Sequence, residues 1–323
     1  MVLAKGVNVK HAHRGAIKLA PIAGAALAVA ALGGSAVAAV PHANSPTQAN
    51  AIGMKIAASV KEVPALNALL PASLGASKNL VIGAQLQQPP EDYYAADGKT
   101  PIGFEVNLAT ALGNELGVRV SYEAMAFDAL IPSLEDGRVD ITMSAMNDTK
   151  AREKLVNFVD YLTDGIGLLV KAGNPDHITG PMSLCGKAVA VVNGTTQQAY
   201  AQSLSSQCTS AGKDAVTSVV SSSTAQEDES LITGRVAAVL NDNITDAFDV
   251  ETQPKLFAAV NYPPIEPGPY GIGVNKHDPQ LLRAIHAALQ RLMNTGVYKR
   301  ILAAWDLTSV AIPTATINHG TAG

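Results

Sequence analysis

Two loops in this chain carry the residue types that hold a carboxylate. Ser144-Ala145-Met146-Asn147-Asp148-Thr149 follows the apolar run 139–143 and leads into a predicted helix that carries Arg152. Asn193-Gly194-Thr195-Thr196 follows the apolar run 189–192 and opens a second predicted helix. Backbone N–H groups at a helix start, aided by the helix dipole, favour an anion. Arg152, one turn into the first helix, could add a bidentate grip. A third loop has the opposite sign. Asn241-Asp242 follows the run 236–240, so the Asp242 carboxylate stands at a strand end, where it could accept from an ammonium. Each residue also has a plainer role. Thr196 and Asp242 suit helix N-caps, the simpler reading on spacing alone, and Arg152 could pair at the surface with Glu153 or Asp148. Taken together, an anion site and a cation site around one crevice are what a zwitterion needs.

Signals for other chemistry are missing from the sequence. It has no Gly-x-Ser-x-Gly, no His-Glu-x-x-His and no Walker loop. Gly165-Ile166-Gly167 and Gly271-Ile272-Gly273 lack the third glycine of a dinucleotide fingerprint. Of the seven histidines, His11, His13, His42 and His319 lie towards the ends, and His177, His277 and His286 have no metal-ligand spacing. No cofactor or metal is expected. Net charge is −4, which argues against binding nucleic acid through its phosphates.

The elements that must position these loops follow from the pattern of the 323 residues, 47% hydrophobic and 15% charged. That length suggests two domains, and the composition excludes a disordered chain. Leu80-Val81-Ile82-Gly83 reads as a buried strand, Phe104, Leu108, Leu112 and Leu116 as one stripe of a helix stopped by Gly117, and 118–122 as the next strand. A helix over 128–136 and a strand over 139–143 complete the first unit. The alternation restarts with strands at 187–192, 216–220 and 236–240, interleaved with helices towards Cys208 and over 225–233. A strand at 270–274 and helices at 279–294 and 297–305 close the chain. Strands alternating with helices predict parallel α/β sheets with ligands at the strands' carboxyl ends.

The first forty residues differ. Lys5, Lys10, Arg14 and Lys18 precede an uncharged stretch, 19–40, that reaches Ala36-Val37-Ala38, the pattern of a cleavable signal peptide. A membrane span is the rival reading, weakened by Pro21 and Gly33-Gly34. No cysteine near the cleavage site offers a lipid anchor, so the protein is expected to be periplasmic or secreted. In that setting Cys185 and Cys208 are expected to form a disulfide, the alternative being two buried thiols.

The sequence also resembles the family 3 extracellular solute-binding proteins of polar amino acid ABC transporters. The resemblance spans about residues 60–306 and is carried by Gly103-Phe104-Glu105-Val106-Asn107-Leu108, Phe127-Asp128-Ala129-Leu130-Ile131-Pro132, Asp136-Gly137-Arg138-Val139-Asp140, Met143–Thr149 with Arg152, Phe158-Val159-Asp160-Tyr161, residues 187–196, Pro269-Tyr270-Gly271-Ile272 and Gly296-Val297-Tyr298. It implies a type II periplasmic binding fold: two α/β lobes with a two-strand hinge near 165–170 and 270–274. The implied organisation is a signal peptide at 1–38, a linker with a short helix at 39–76, lobe 1 at 77–166 and 270–307, lobe 2 at 167–269, and a tail at 308–323.

By the same resemblance Arg152 and Thr196, with Thr195 and the Asn147 loop, would hold an α-carboxylate. Asp242 and the Ala145 carbonyl would hold the α-ammonium, and Phe127 would wall the side chain, although Phe127 read alone suits core packing. Cys185 and Cys208 match positions where some members carry a disulfide. The implied function is capture of a polar amino acid, or a close derivative, by a monomeric non-enzymatic protein that delivers it to a membrane permease. The chain departs from the family pattern at Asn107, Ala145 and Asn147, and after the first strand, where Gln85, Gln88 and Glu91 replace an acid and aromatics. This suggests a side-chain pocket that binds by hydrogen bonds. Glu91 could attract a basic group or face solvent. An enzyme on the same fold, similar to a cyclohexadienyl dehydratase with Glu91 as acid or base, and a sensor for a membrane receptor are the alternatives.

Overall fold

The apolar run at Leu80 forms a buried strand, as its β-branched residues and closing glycine predict. In the computed structural model, which describes residues 44–322, the chain begins with α1 (Pro46–Ser59), α2 (Pro64–Asn67), α3 (Ala72–Ser77) and β1 (Asn79–Ala84). A small sheet of β2 (Gln87–Gln88), β3 (Asp92–Tyr94) and β4 (Pro101–Ile102) follows, then α4 (Phe104–Leu116), β5 (Arg119–Ala124), α5 (Leu130–Glu135), β6 (Ile141–Thr142) and the long β7 (Val156–Ile166). β1 lies parallel between β5 and β6. Phe104, Leu108, Leu112 and Leu116 are fully buried on α4, and Gly117 ends the helix in the left-handed conformation that glycine adopts without steric cost.

After β7 the chain enters a second sheet, with β8 (Leu169–Lys171), β9 (Ala188–Val192), α6 (Thr196–Ser210), β10 (Thr217–Ser221), α7 (Thr224–Ile232), β11 (Ala238–Val239), α8 (Asn243–Thr252) and β12 (Phe257–Ala259). Its strand order is β10-β9-β11-β8-β12, with β9 parallel to both neighbours. The chain returns along β13 (Ile265–Asn275), which runs antiparallel to β7 from Ile265↔Ile166 onward, and finishes with α9 (Pro279–Asn294), α10 (Val297–Ala304) and β14 (Ala311–Ile317). The first sheet is thus ordered β14-β7-β13-β6-β1-β5. Two α/β lobes joined by β7 and β13 are the architecture expected. The return begins at Ile265, not near Tyr270, because Pro267 and Pro269 interrupt the pattern that would mark the strand's start.

Each lobe has its own core. The first is built around α4, α9 and α10, with Leu289, Ile301 and Trp305 buried. The second packs Leu184, Val189, Val191, Leu204 and Cys208. Cys185 and Cys208 are joined, tying α6 to the segment before β9; closing a loop of this size stabilises by ~3 kcal/mol in the chain-entropy description.

Three expectations need correction. Residues 39–76 hold more than a linker and a short helix: α1 runs for 14 residues from a Ser45 cap that accepts from the Gln48 N–H. Its buried side is Ala49, Gly53 and Ala57, small residues that give no apolar stripe yet allow close approach to α4. Residues 308–323 are not a free tail, because β14 pairs with β7 at the sheet edge, where Pro313 is tolerated. The helix expected to carry Arg152 is a single 3-10 turn, Arg152–Lys154. The signal peptide expected at 1–38 lies outside the described residues. Among those described, no helix is long and apolar enough to cross a membrane.

Candidate functional site

The loops picked out by residue type meet between the lobes. A cavity of about 10 Å³ is lined from the first lobe by Gln85, Gln88, Phe127, Ala145 and Asn147, and from the second by Thr195, Gln197, Thr224, Glu227, Asn241 and Asp242. The carboxyl ends of parallel strands supply most of these residues: β1 leads into Gln85, β6 into the Ala145 loop, β9 into Thr195 and β11 into Asp242. Ala145 sits in the left-handed region (φ 48), a conformation costing about 1–3 kcal/mol for a side chain with a Cβ. Glu105, on the first turn of α4, holds it there by accepting from the Ala145 N–H at 2.9 Å and from the Tyr161 hydroxyl. Burial raises the Glu105 carboxyl to about 7.

Arg152 reaches both lobes. Its guanidinium donates to the Asn147 carbonyl at 2.8 Å and the Gly194 carbonyl at 3.0 Å, and lies 5.4 Å from the centre of the Phe127 ring. Burial lowers its pKa to about 10 while Asp242 and Asp148 act in the other direction. Thr196 donates to Asn147 Oδ1 at 2.9 Å across the cleft. The capping role suggested for Thr196 belongs to Thr195, whose hydroxyl accepts from the Gln198 N–H. Thr195 lines the cavity while capping the helix, whereas Thr196 faces Asn147 from the other lobe and, like Arg152, does not line the cavity. Because a three-residue 3-10 turn offers no helix dipole, the first loop would bind an anion through Arg152 and the Asn147 amide alone.

Asp242 occupies the N-cap position of α8 but caps nothing. It is 4% exposed. Oδ2 accepts from the Gln88 amide and Oδ1 from the Gln197 amide at 2.7 Å. Burial pushes its carboxyl up to about 6, opposed by the Tyr270 hydroxyl nearby, by the two amides and by Arg152. Gln85 donates to the Ser222 carbonyl at 3.0 Å, and the Thr224 hydroxyl to the Gln87 carbonyl, so the rebuilt region after β1 spans the cleft.

Glu91 meets neither expectation: it is fully buried and does not line the cavity. The fold-back of β2 and β3 tucks it under the start of α4, where its carbonyl accepts from the Glu105 N–H. Its carboxyl accepts from Thr245 at 3.0 Å, and burial, with Asp242 and Glu105, raises its pKa. Residue types alone did not point to Gln197, Thr224 or Glu227. The signal for Glu227 was present, since it lies four residues before the buried Leu231 and so on the same face of α7, but Glu227-Asp228-Glu229 reads as a solvated run. Among the described residues, no group of three or more His, Cys, Asp or Glu is placed to hold a metal ion.

Two α/β lobes sharing a pair of long strands, with a charged cleft between them, are the form of a type II periplasmic binding protein. The match is specific: the chain belongs to the bacterial extracellular solute-binding proteins, family 3, over residues 80–308. It is 28% identical over 258 residues to an arginine-binding protein of Corynebacterium glutamicum, covering 80% of this chain and 84% of the relative. It is 28% identical over 227 residues to the L-cystine-binding protein of Escherichia coli, covering 70% and 82%. An ancestral arginine-binding protein solved with arginine superposes with a TM-score of 0.65 at 31% identity, over 71% of this chain and 98% of that one.

Proposed function

We propose that the cleft closes on the zwitterionic head of a polar α-amino acid, which the protein delivers as a monomer to a separate ABC permease outside the cytoplasmic membrane. The arginine- and cystine-binding relatives have the α-amino acid head in common, and that is the part the matched residues would hold. Asp242, with a carbonyl of the Ala145 loop, would take the ammonium in place of the Gln88 and Gln197 amides. Arg152, Asn147 and Thr196 would take the carboxylate, with Phe127 as a wall. The observation that carries the reading is Asp242: a buried carboxylate at a helix start, unused as a cap, on a cavity lined by both lobes. A ligand touching both lobes favours the closed state by its differential affinity, with the hinge along β7 and β13. An enzymatic reading with Glu91 as acid or base is less well supported, because Glu91 is fully buried and accepts from the Thr245 hydroxyl.

The test is a thermal-shift screen of the purified protein, refolded to strip carried ligand, against amino acids, their amines and cyclohexadienyl acids. A ligand at 100 times its Kd should raise Tm by on the order of 5–10 °C. Shifts confined to α-amino acids support the reading. A shift only with a cyclohexadienyl acid, or none with any amino acid, overturns it.

A further inference from the structure

We propose that Glu227 is the counter-ion for a cation at the far end of the ligand's side chain, so that the cleft selects α-amino acids bearing a distal guanidinium or ammonium. The inference rests on the amino-acid reading above and adds a second acidic position to it.

Glu227 lies in the first turn of α7, is 1% exposed and lines the same cavity as Asp242. The two acids differ in one respect. Both oxygens of Asp242 accept from side-chain amides, whereas neither oxygen of Glu227 has a hydrogen-bond partner. Two polar groups of the same cavity are engaged elsewhere, the Thr224 hydroxyl with the Gln87 carbonyl and the Gln85 amide with the Ser222 carbonyl, and the Asn241 amide nitrogen, which has no partner, makes no bond to Glu227. No described side chain forms an ion pair with Glu227. Its charged surroundings are all acidic, with Asp228, Asp242 and Asp249 adding to the effect of burial in raising its pKa. A buried carboxyl without a partner must either hold its proton or find a cation.

Charge balance points to the source of that cation. With Arg152, Asp242 and Glu227 ionised, the site carries two negative charges and one positive. A neutral amino acid would satisfy Arg152 and Asp242 and leave Glu227 buried and alone. An amino acid with a second cation would satisfy all three. A metal ion is the poorer occupant, because no three ligating side chains converge among the described residues.

The experiment is isothermal titration of the refolded protein with two pairs that differ in the distal charge: L-arginine against L-citrulline, and L-lysine against L-norleucine. The charged member should bind about 100-fold tighter in at least one pair, the size expected for a buried charge left unpaired. E227Q keeps the side chain's shape and should reduce that gap to less than about threefold by weakening the charged ligand alone. Far-UV circular dichroism checks its fold, and E227A makes the same test should E227Q not fold. D242N should weaken charged and neutral ligands alike. A wild-type gap below about threefold, or a full gap retained in E227Q, overturns the role of Glu227 and leaves the amino-acid reading standing. Binding that D242N leaves unchanged overturns the amino-acid reading and this inference with it.

Discussion

The two ends of the cleft are finished differently. At the Arg152 end the groups that would grip the ligand are tied to other parts of the protein: Arg152 to two carbonyls, Thr196 to Asn147, and Thr195 to the start of α6. At the acidic end Asp242 is satisfied by two amides, while Glu227 has nothing. The first arrangement fixes geometry, since hydrogen bonds from both lobes hold the anion-binding groups in place. The second leaves unspent electrostatic attraction, because burial without a partner keeps a carboxyl costly until a cation arrives. The common head of the ligand would be read at the preorganised end and at Asp242, and its identity at the unsatisfied acid.

That contrast can be broken at several points. The largest effect is expected from D242A, which should cost about 2–5 kcal/mol of binding free energy for any α-amino acid, read by titration calorimetry; a loss below tenfold in affinity would remove Asp242 from the ammonium site. R152A should cost about 1.5–3 kcal/mol, as for a hydrogen bond to a charged group, and should also loosen the Asn147 and Gly194 loops, visible as faster amide hydrogen exchange there.

The acids give a pH dependence whose sign is fixed. Burial holds Asp242 at about 6, Glu105 and Asp164 at about 7 and Asp249 at about 8 in the folded chain, all above their unfolded values. Between roughly pH 4 and 8 the folded chain therefore holds protons that the unfolded chain has released, and stability falls as pH rises. The ligand-free protein should melt several degrees lower at pH 8 than at pH 5, and a bound cation should narrow the difference. T196V should have the smallest effect, about 0.5–1.5 kcal/mol in binding, because Arg152 and Asn147 would still hold the carboxylate; an effect as large as that of R152A would make Thr196 as important to the carboxylate as Arg152.

Much of this was legible in the sequence where strong periodicity met a clear stop. α4 and its glycine end, the parallel strands and the loops bearing Asn147, Thr196 and Asp242 follow from apolar runs and turn residues. The parts that were hidden are small or polar. α1 buries Ala49, Gly53 and Ala57, and a Cβ on Gly53 would fall 1.9 Å from Asn107 Oδ1; hydropathy does not register contacts that depend on small size. Asn107, which stands where the family usually has an acid, takes part in that packing, accepting from the Trp305 indole at 2.8 Å and donating to Asn50 at 2.9 Å. β14 contains a proline and lies at a sheet edge with an irregular register between Ala311 and Thr316, a setting in which a proline is tolerated. The acidic run around Glu227 hides its burial, and the burial of Glu91 depends on the fold-back of β2 and β3, which no periodicity announces.

The most direct test of the central claim is calorimetric titration with the ligand's head groups deleted one at a time. The refolded protein would be titrated with its best α-amino acid, then with the decarboxylated amine and the deaminated acid of the same side chain. A cleft that clamps both head groups predicts that each deletion weakens binding about 100-fold or more. Either analogue binding within a few-fold of the parent would contradict it.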